Sequence, residues 1–479
     1  VNVATDLIWR AGREADKHNV YVSTDQQAVI DGTAPVVTVT GPSYTPALNL
    51  ASTYYWRVDE VNEVETPSVW AGPVWRFDTE AYVVVDDFES YTDDMDAEKA
   101  IFQTWIDGYE VAANGSQVGY GTSPFAERTI INSGRQSMPL AYDNTGTATY
   151  SEAKRTFDSP WDWSRHGIKG LTLRFYGKVD NTAQQMYVKI NNTKISYTGD
   201  PESLKRASWQ MWYIDLAGHN VSNVTSLSIG FDRIGGTGGK GMVFIDDIRL
   251  YPLERQLITP ADPGTAGLQV QYQFEGNAND SSGKGRNGSL KGAPMFVAGK
   301  AGQAISLNGT ADYVNIDGYK GILADAAGVQ QPLTLTAWIK TATNGRDIIA
   351  WGTNAGGQRM NFRVDTVLRV EHGGGNIRGT NGPSLIDNEW HHVAATVPQG
   401  GRIMDVLLYV DGVNVTPPST TTAAFNLQPN IDVVIGQGGT QGSRFFLGLI
   451  DEVRIFDRVL SAGEIAWLAG RTTPFDKPF

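Results

Sequence analysis

Apolar and polar residues alternate in short runs along the whole chain, and turn residues separate the runs. In residues 54–61, for example, Tyr54 and Trp56 fall on one face while Tyr55 and Arg57 fall on the other. A period of two is typical of a β-strand with one face towards a core. The turn dipeptides that recur between the runs, together with the 53 glycines, indicate tight connections. The pattern therefore predicts an all-β protein of many short strands.

Residues 1–80 form the first predicted β-sandwich, with strands over residues 4–9, 19–24, 54–61 and 74–79. The strings Tyr-Tyr-Trp-Arg-Val at 54–58 and Trp-Arg-Phe-Asp-Thr at 75–79 resemble a fibronectin type III domain. In that family another strand precedes the one that carries Trp9, so the first strand is expected to be missing or reduced. An open sheet edge of this kind could accept a strand by β-augmentation.

Residues 83–251 form the second predicted sandwich. The segment opens with Val-Asp-Asp-Phe-Glu-Ser-Tyr at 85–91 and closes with Ile-Asp-Asp-Ile-Arg-Leu at 245–250. These two strings resemble the galactose-binding-like β-sandwich found in many carbohydrate-binding modules. The resemblance implies a jelly roll that binds a glycan.

Residues 252–266 contain three prolines and little periodicity, so they are predicted to be a linker. Residues 267–470 then form a third sandwich. Its strings Trp-His-His-Val-Ala at 390–394, Leu-Tyr-Val-Asp-Gly at 408–412 and Gly-Leu-Ile-Asp-Glu-Val-Arg-Ile-Phe at 448–456 resemble the laminin-G-like, concanavalin-type jelly roll. Ser461 followed by Glu464 predicts a capped helix over 461–468. The tail 471–479 is expected to be irregular. The fold prediction is three tandem β-sandwiches.

Composition restricts the partners. The 39 Lys and Arg residues against 52 Asp and Glu residues give a formal net charge of −13, which argues against nucleic acid as a ligand. The sequence contains no stretch of 18 apolar residues, so it predicts no membrane-spanning helix. Because the chain has no cysteine, disulfides, thiolate metal sites and cysteine nucleophiles are excluded.

Catalytic motifs are not found. The six histidines form no His-Glu-x-x-His pattern, and there is no Gly-x-Ser-x-Gly elbow. The acidic pair Asp451 and Glu452 is adjacent, so a strand would send the two carboxylates to opposite faces. The glycine-rich run 235–240 lacks phosphate-loop spacing and is better explained as a hairpin loop. The sequence therefore predicts a protein that is not an enzyme.

A structural calcium ion is predicted in the second sandwich. Asp246 shares a strand face with apolar residues and should point towards the core, where an unpaired carboxylate is costly. The resemblance implies a calcium between first and last strands, which carries over to Glu89 and Asp246, with Asp87 beside them. The alternative is that loop amides or an arginine satisfy these carboxylates.

In the third sandwich, the resemblance implies calcium at the rim, with Asp280 and Asp451 as candidate ligands. Asp280 lies in an Asn-Asp-Ser-Ser-Gly turn at 279–283, where its carboxylate could instead cap the turn through backbone amides.

A sugar-binding surface needs exposed aromatic faces beside polar groups. Two tryptophan clusters in the second sandwich satisfy this pattern, so we expect Trp161, Trp163, Trp209 and Trp212 to bind the ligand. Tyr213 belongs to the second cluster, and Trp105 and Tyr109 lie near the start of the same segment. Trp9, Trp56, Trp75, Trp338 and Trp390 are expected in cores.

These features together predict a non-catalytic, extracellular or cell-surface protein that adheres to a polysaccharide or glycan. The combination resembles modular surface proteins of environmental bacteria. One alternative is a self-assembling surface or filament protein that forms homo-oligomers through strand donation at the N-terminal segment. Another is the C-terminal binding region of a larger polysaccharide-degrading enzyme.

Overall fold

The computed structural model of the protein describes residues 1–380, 383–439 and 443–479. Strands dominate, which confirms the all-β prediction. The chain divides into two compact units. The first comprises Val1–Lys205 and Gln210–Arg255, and the second comprises Arg206–Trp209 and Gln256–Phe479. None of the helices that the structure describes is long and apolar enough to cross a membrane.

The N-terminal segment carries short strands and one helical turn. In chain order these are β1 (Leu7–Ile8), β2 (Lys17–Ser23), α1 (Gln26–Asp31), β3 (Val36–Val39), β4 (Ser43–Tyr44), β5 (Thr53–Val61), β6 (Val69–Trp70) and β7 (Trp75–Asp78). One sheet has the order β3-β2-β5-β6, with β7 also paired to β5, and β1 with β4 forms a separate two-stranded sheet.

The core of this segment is small. One buried cluster consists of Val3, Leu48, Leu50 and Tyr54, and Asn49 donates its backbone N–H to the Tyr54 hydroxyl at 3.0 Å. Trp75, expected in a core, is exposed instead, because few residues are available to cover it. Residues 1–80 and 83–251, apart from 206–209, belong to one compact unit, in which the Leu50 N–H donates to the carbonyl of His166.

The second segment contains β8 (Val83–Asp86), α2 (Ile101–Thr104), β9 (Trp105–Ile106), β10 (Ser116–Val118), β11 (Met138–Asp143), β12 (Tyr150–Trp161), β13 (Gly170–Tyr176), β14 (Gln185–Ile190), β15 (Thr193–Ser196), a 3₁₀ turn (Pro201–Lys205), β16 (Trp209–Asp215), β17 (Val224–Asp232) and β18 (Lys240–Tyr251). One sheet has the order β10-β11-β18-β13-β16, with β8 paired to β18, and the other has the order β15-β14-β17-β12-β9.

Both of these sheets contribute to one apolar core. Leu140, Leu173 and Ile245 come from the first sheet, and Val188 and Ile229 come from the second. The run at 235–240 leads from β17 to β18, but these strands belong to different sheets, so it is a connection between the two sheets and not the expected hairpin loop.

β8 ends at Asp86, inside the motif at 85–91. Phe88 takes a left-handed φ of 61°, so the chain leaves the strand there. Asp87 and Glu89 therefore lie after the strand and not on one of its faces.

The third segment contains β19 (Leu257–Ile258), β20 (Leu268–Tyr272), β21 (Ser289–Lys291), β22 (Met295–Ala298), β23 (Gln303–Asn308), β24 (Tyr313–Ile316), β25 (Leu333–Lys340), β26 (Arg346–Gly352), β27 (Arg359–Val364), β28 (Leu368–Glu371), β29 (Ile377–Gly379), β30 (His391–Val397), a 3₁₀ turn (Ile403–Asp405), β31 (Leu407–Val410), β32 (Val413–Asn414), β33 (Ile431–Ile435), β34 (Leu447–Phe456), α3 (Ala462–Leu468) and β35 (Phe475–Asp476). One sheet has the order β22-β23-β34-β25-β30-β31-β32, with β20 paired to β34, and the other has the order β21-β24-β33-β26-β27-β28-β29.

These two sheets enclose the largest core of the protein, with Leu335 and Val393 on one side and Phe362 and Val433 on the other. The predicted helix is α3, and the capping box forms as expected. The Glu464 N–H donates to the Ser461 hydroxyl at 3.2 Å, and the Ser461 N–H donates to the Glu464 carboxylate at 2.7 Å.

The predicted linker and tail are not wholly irregular. β19, inside residues 252–266, pairs with β35, inside residues 471–479. Residues 256–266 therefore belong to the same compact unit as the third sandwich. The proline-rich composition could not reveal this pairing, because its partner strand lies more than 200 residues away.

Candidate functional site

A cavity of about 680 Å³ opens on the second segment, and we call it the aromatic cavity. The helical turn α2, strands β9 and β10, and the loop 119–125 form its walls. The lining residues are Met95, Phe102, Ile106, Asp107, Tyr109, Gln117, Val118, Tyr120, Gly121, Thr122, Ser123 and Phe125. This volume lies within the range of roughly 300–1,000 Å³ that is usual for small-molecule sites.

Two phenylalanine rings anchor the wall of the aromatic cavity. Phe102 and Phe125 meet edge to face with centroids 5.0 Å apart. Gly119 has a φ of +75°, and a Cβ there would lie 3.2 Å from Ile101 and 3.0 Å from the Phe125 carbonyl. The loop therefore turns tightly against α2, and only glycine fits this position without strain.

The one carboxylate in the cavity holds the backbone in place. Asp107 Oδ1 accepts the Tyr109 N–H at 2.9 Å, and Oδ2 accepts the Val118 N–H at 2.6 Å. These bonds tie the segment after β9 to β10. Asp107 thereby positions Tyr109 at the opening.

The opening itself is aromatic and aliphatic. Tyr109 is 79% exposed, Ile106 is 58% exposed and Met95 is also exposed. Gln117, Thr122 and Ser123 are exposed polar neighbours in the same lining. An accessible aromatic face beside hydroxyl and amide groups is the arrangement that sugar binding needs.

The hydroxyl of Tyr120 is committed elsewhere, because it donates to the carboxylate of Glu127. Burial and this hydrogen bond raise the pKa of Tyr120 well above its usual value. Tyr120 therefore offers its ring to the cavity as a neutral phenol.

The tryptophans predicted to bind sugar lie mostly in the interior. Trp163 is fully buried, Trp209 and Trp212 are buried, and Trp161 is half-buried against the core. The rings of Trp161 and Trp163 meet edge to face at 6.2 Å. Trp163, Trp209 and Trp212 present no open ring face to a ligand, because neighbouring residues cover them.

A second depression of about 550 Å³ lies beside two of those aromatic residues, Trp163 and Tyr213. Its lining combines apolar residues with several charged and polar side chains. The Lys169 ammonium pairs with Glu254 at 2.9 Å, and Asp215 accepts the Ala217 N–H. The Tyr213 hydroxyl donates to the Leu253 carbonyl. Since these groups already have partners, the depression is the weaker candidate.

Trp105 and Tyr109, noted near the start of the segment, differ in their exposure to solvent. Trp105 is fully buried and donates its indole N–H to Asp86 at 2.8 Å, whereas Tyr109 stands at the cavity opening. Sequence reasoning missed Phe102, Tyr120 and Phe125. The available signal was the density of aromatic residues in 102–125 around the Gly-Tyr-Gly-Thr-Ser turn at 119–123.

Asp246, predicted to bind calcium, lies in a cradle of backbone amides. Its Oδ2 accepts the N–H groups of Asn132 at 2.8 Å and Ser133 at 3.2 Å, and its Oδ1 accepts the N–H of Asp247 at 2.8 Å. Asp247 in turn pairs with Arg249. Burial and the nearby Asp247 charge raise the pKa of Asp246 to about 8, against the effect of the amides.

Asp451 in the third sandwich repeats this arrangement. Its Oδ2 accepts the N–H groups of Lys300 at 2.9 Å and Ala301 at 3.0 Å, and its Oδ1 accepts the N–H of Glu452 at 2.7 Å. Glu452 pairs with Arg454 at 2.5 Å. Burial raises the pKa of Asp451 to about 6. We call the two sets of donors the amide cradles.

The remaining calcium candidates are bonded in the same manner. Glu89 Oε1 accepts the N–H groups of Arg135 and Gln136 at 2.7 and 3.1 Å, and Asp87 accepts the N–H of Glu89. Asp280 accepts the N–H of Ser282 at 2.9 Å, as expected for a turn cap.

Calcium requires six to eight oxygen ligands around one point. At these carboxylates, N–H dipoles direct their positive ends towards the oxygens that a cation would share. In residues 1–380, 383–439 and 443–479, no group of three or more His, Asp or Glu side chains could hold a metal. All five predicted ligands accept backbone N–H groups, and calcium at these carboxylates stays a prediction. The alternative of loop amides describes them better.

Buried Asp347 and half-buried Glu371 on the third sandwich share one arginine. Asp347 Oδ2 lies 2.9 Å from Arg444 Nε, and Glu371 Oε2 lies 2.8 Å from Arg444 Nη1. Asn361 also donates to Asp347 at 2.8 Å. Burial raises the pKa of Asp347 to about 6, although Arg444 opposes the shift. Arg444 therefore forms ion pairs with both carboxylates.

The third segment also has relatives among known families. Residues 308–466 match the family described as the concanavalin A-like lectin/glucanases superfamily. This match confirms the jelly roll that the motifs of residues 267–470 predicted. No curated protein is significantly similar to the chain.

Among solved structures, domain 4 of AbnA, a GH43 extracellular arabinanase from Geobacillus stearothermophilus in complex with arabinotriose, is 22% identical. The match covers 43% of this chain and 98% of that domain, with a TM-score of 0.34.

The binding domain of Paraclostridial Mosquitocidal Protein 1 is 18% identical over 42% of this chain and 52% of that one, with a TM-score of 0.34. The binding domain of Botulinum neurotoxin DC, in complex with rat synaptotagmin II, is 14% identical over 43% and 51%, with a TM-score of 0.28. The chain thus spans about half the length of these two structures. At such identities and TM-scores, the likenesses identify neither a site nor a ligand. What the comparisons establish is that residues 308–466 are similar to the concanavalin A-like lectin/glucanases superfamily.

Proposed function

We propose that this chain is a non-catalytic, extracellular protein that adheres to a polysaccharide or glycan through the aromatic cavity. The observation that carries the proposal is the exposed Tyr109 ring at the mouth of that cavity, with Gln117, Thr122 and Ser123 beside it. Carbohydrate rings stack their apolar C–H faces on aromatic rings, while their hydroxyls need nearby hydrogen-bonding groups.

The third sandwich supports the proposal, because its family description includes lectins. The extracellular location rests on the resemblance to modular surface proteins. The fibronectin type III-like and galactose-binding-like identities of the first two segments remain part of the proposal.

The non-catalytic part of the proposal is supported by how the acids and histidines are used. Asp347 and Glu371 are held by Arg444, and His391 lies between Asp387 and Asp411. His18 pairs with Glu60 at 2.8 Å. These groups serve as ion-pair partners within the fold.

The test is binding of the whole chain to immobilised arabinan, xylan, galactan and cellulose, with the Tyr109→Ala variant measured in parallel. Loss of the stacking ring should weaken binding about tenfold. Trp467→Ala is the matched control, because Trp467 is an exposed aromatic residue on α3, outside the cavity. Unchanged binding by Tyr109→Ala would contradict the site, and release of reducing sugar would contradict the non-catalytic assignment.

Self-assembly is the second candidate function, and one observation favours it. β1 and β4 form a sheet of two strands, and Ile8 on β1 is 71% exposed. An additional strand could pair with such an edge and cover the apolar side chain. Particle size as a function of concentration discriminates between the two functions.

A further inference from the structure

The interior of the aromatic cavity is more apolar than a bare sugar requires. Phe125 and Val118 are buried, Phe102 is half-buried, and Ile106 and Met95 extend the same wall to the opening. Aliphatic side chains and ring edges of this kind provide no hydrogen-bond partners. They favour an apolar group over a hydroxylated one.

The polar groups that border that interior already have hydrogen-bond partners within the protein. Asp107 accepts two backbone N–H groups, and the Tyr120 hydroxyl donates to Glu127. Gln117, Thr122 and Ser123 are exposed, so they lie at the rim. The cavity is therefore polar at its mouth and apolar inside.

No lysine, arginine or histidine lines the cavity, and its one ionisable acid is Asp107. A carboxylate or sulfate group on the ligand would find no positive partner, and it would face the negative charge of Asp107. Since an unpaired charge in an apolar site is costly, acidic glycans are disfavoured.

We infer that the aromatic cavity takes a neutral sugar that carries an uncharged apolar substituent, such as an acyl or aryl ester. The substituent enters between Phe102, Phe125 and Ile106, and the sugar hydroxyls stay at the rim. A bare ring pushed into the interior would leave hydroxyls without partners, and each one would weaken binding. This inference rests on the proposed function and specifies the ligand class for the same site.

The experiment compares matched glycosides on the whole chain by isothermal titration calorimetry. The probes are the methyl and p-nitrophenyl glycosides of glucose, xylose, galactose and arabinose, together with p-nitrophenyl glucuronide and free p-nitrophenol. For at least one sugar, the p-nitrophenyl glycoside should bind tenfold or more tightly than the methyl glycoside, about what burial of an aromatic ring provides. The glucuronide should bind more weakly than the neutral aryl glycosides.

The matched variants place a charge on the cavity wall or outside it. Ile106→Glu should reduce binding of the aryl glycoside at least tenfold, because the carboxylate would border the apolar substituent. Val111→Glu is the control, since Val111 is also exposed, lies five residues later and does not line the cavity. Both positions are on the surface, so both variants should fold.

The outcomes separate this inference from the proposed function. If methyl and aryl glycosides bind with equal affinity and Ile106→Glu weakens both, the inference that the cavity prefers an apolar substituent is wrong. Glycan binding at the cavity would still stand. Binding of p-nitrophenol as tight as that of every aryl glycoside would overturn the requirement for a sugar. If no glycoside binds and Tyr109→Ala leaves polysaccharide binding unchanged, the proposed function itself fails at this site.

Discussion

Buried charges in this protein are held by specific partners, and His391 is the clearest case at the residue scale. Its Nδ1 lies 2.9 Å from Asp411 and its Nε2 lies 3.1 Å from Asp387. Burial alone would lower the pKa of His391, but the two carboxylates raise it to about 10. The ring is therefore an imidazolium that joins the motif at 390–394 to the Asp-Gly turn at 411–412.

This assignment predicts a pH-dependent stability. Because the folded pKa of about 10 lies above the usual histidine pKa of 6.5, the stabilisation is fully present below pH 6.5 and is lost as the pH rises towards 10. At pH 6, the free energy of unfolding of His391→Gln should be lower than that of the parent by roughly a few kcal/mol. The difference should shrink towards pH 10.

Urea unfolding of the parent and the variant between pH 6 and 10 measures this difference. His219→Gln is the control, because His219 is on the surface side of the second segment and makes no ion pair in the described chain. A constant gap between parent and His391→Gln across the pH range would show that the ring is neutral in the folded protein.

At the scale of elements, the last strands of the second and third sandwiches share one local design. In β18, Asp246 accepts three N–H groups and Asp247 has a φ of 48°; in β34, Asp451 accepts three and Glu452 has a φ of 48°. A left-handed residue turns each strand locally, so that the acid meets the loop amides. The cradles join a closing strand to a distant loop, which fixes the register of β18 and β34.

Removal of either cradled acid should be strongly destabilising. Asp246→Ala and Asp451→Ala each leave three backbone N–H groups without an acceptor, and we expect a loss of about 2–4 kcal/mol in the free energy of unfolding. If the amides alone satisfy these acids, calcium or a chelator should leave the thermal midpoint of the parent unchanged.

Denaturant unfolding of the two variants checks the first expectation, and thermal scans with excess calcium or EDTA check the second. Asp158→Ala is the control for removing an exposed acid from a strand of the second segment. A chelator-induced fall in the midpoint that Asp246→Ala or Asp451→Ala abolishes would restore the calcium assignment.

At the scale of the whole molecule, the chain consists of two compact units. Its segments differ in the size of their apolar cores. The second and third sandwiches each have an extensive core, whereas the apolar cluster of residues 1–80 has four buried members. Several large apolar residues of the N-terminal segment remain exposed, among them Ile8, Val64 and Trp75. Under the self-assembly alternative, this segment is the proposed contact between copies of the chain.

Under the proposed adhesion function, we expect a single species of 52.1 kDa at every concentration in sedimentation velocity. The net charge of −13 keeps copies apart in solution. Particle growth with concentration would favour self-assembly instead. In that case Ile8→Lys should abolish the growth and Val64→Lys should not, since Val64, although 88% exposed, lies outside β1.

The strand pattern was readable from the sequence because alternation is local. The run at 54–61 became β5 (Thr53–Val61), and the capping box at Ser461 produced α3, since both signals depend on neighbours within a few residues. The jelly roll of the third segment could also be predicted, because its motifs are short and contiguous. Asp246 was correctly expected to point inwards from the face pattern of its strand.

Tertiary structure alone decided which aromatic residues stay exposed and what satisfies the buried acids. Trp163 and Tyr109 occur in similar polar surroundings along the chain, yet one is fully buried and the other is at the cavity opening, because burial depends on which distant strands cover a residue. Asn132 and Ser133 lie more than 110 residues from Asp246. No local pattern could pair them, and it is this long-range closure that brings the amide donors to the acid.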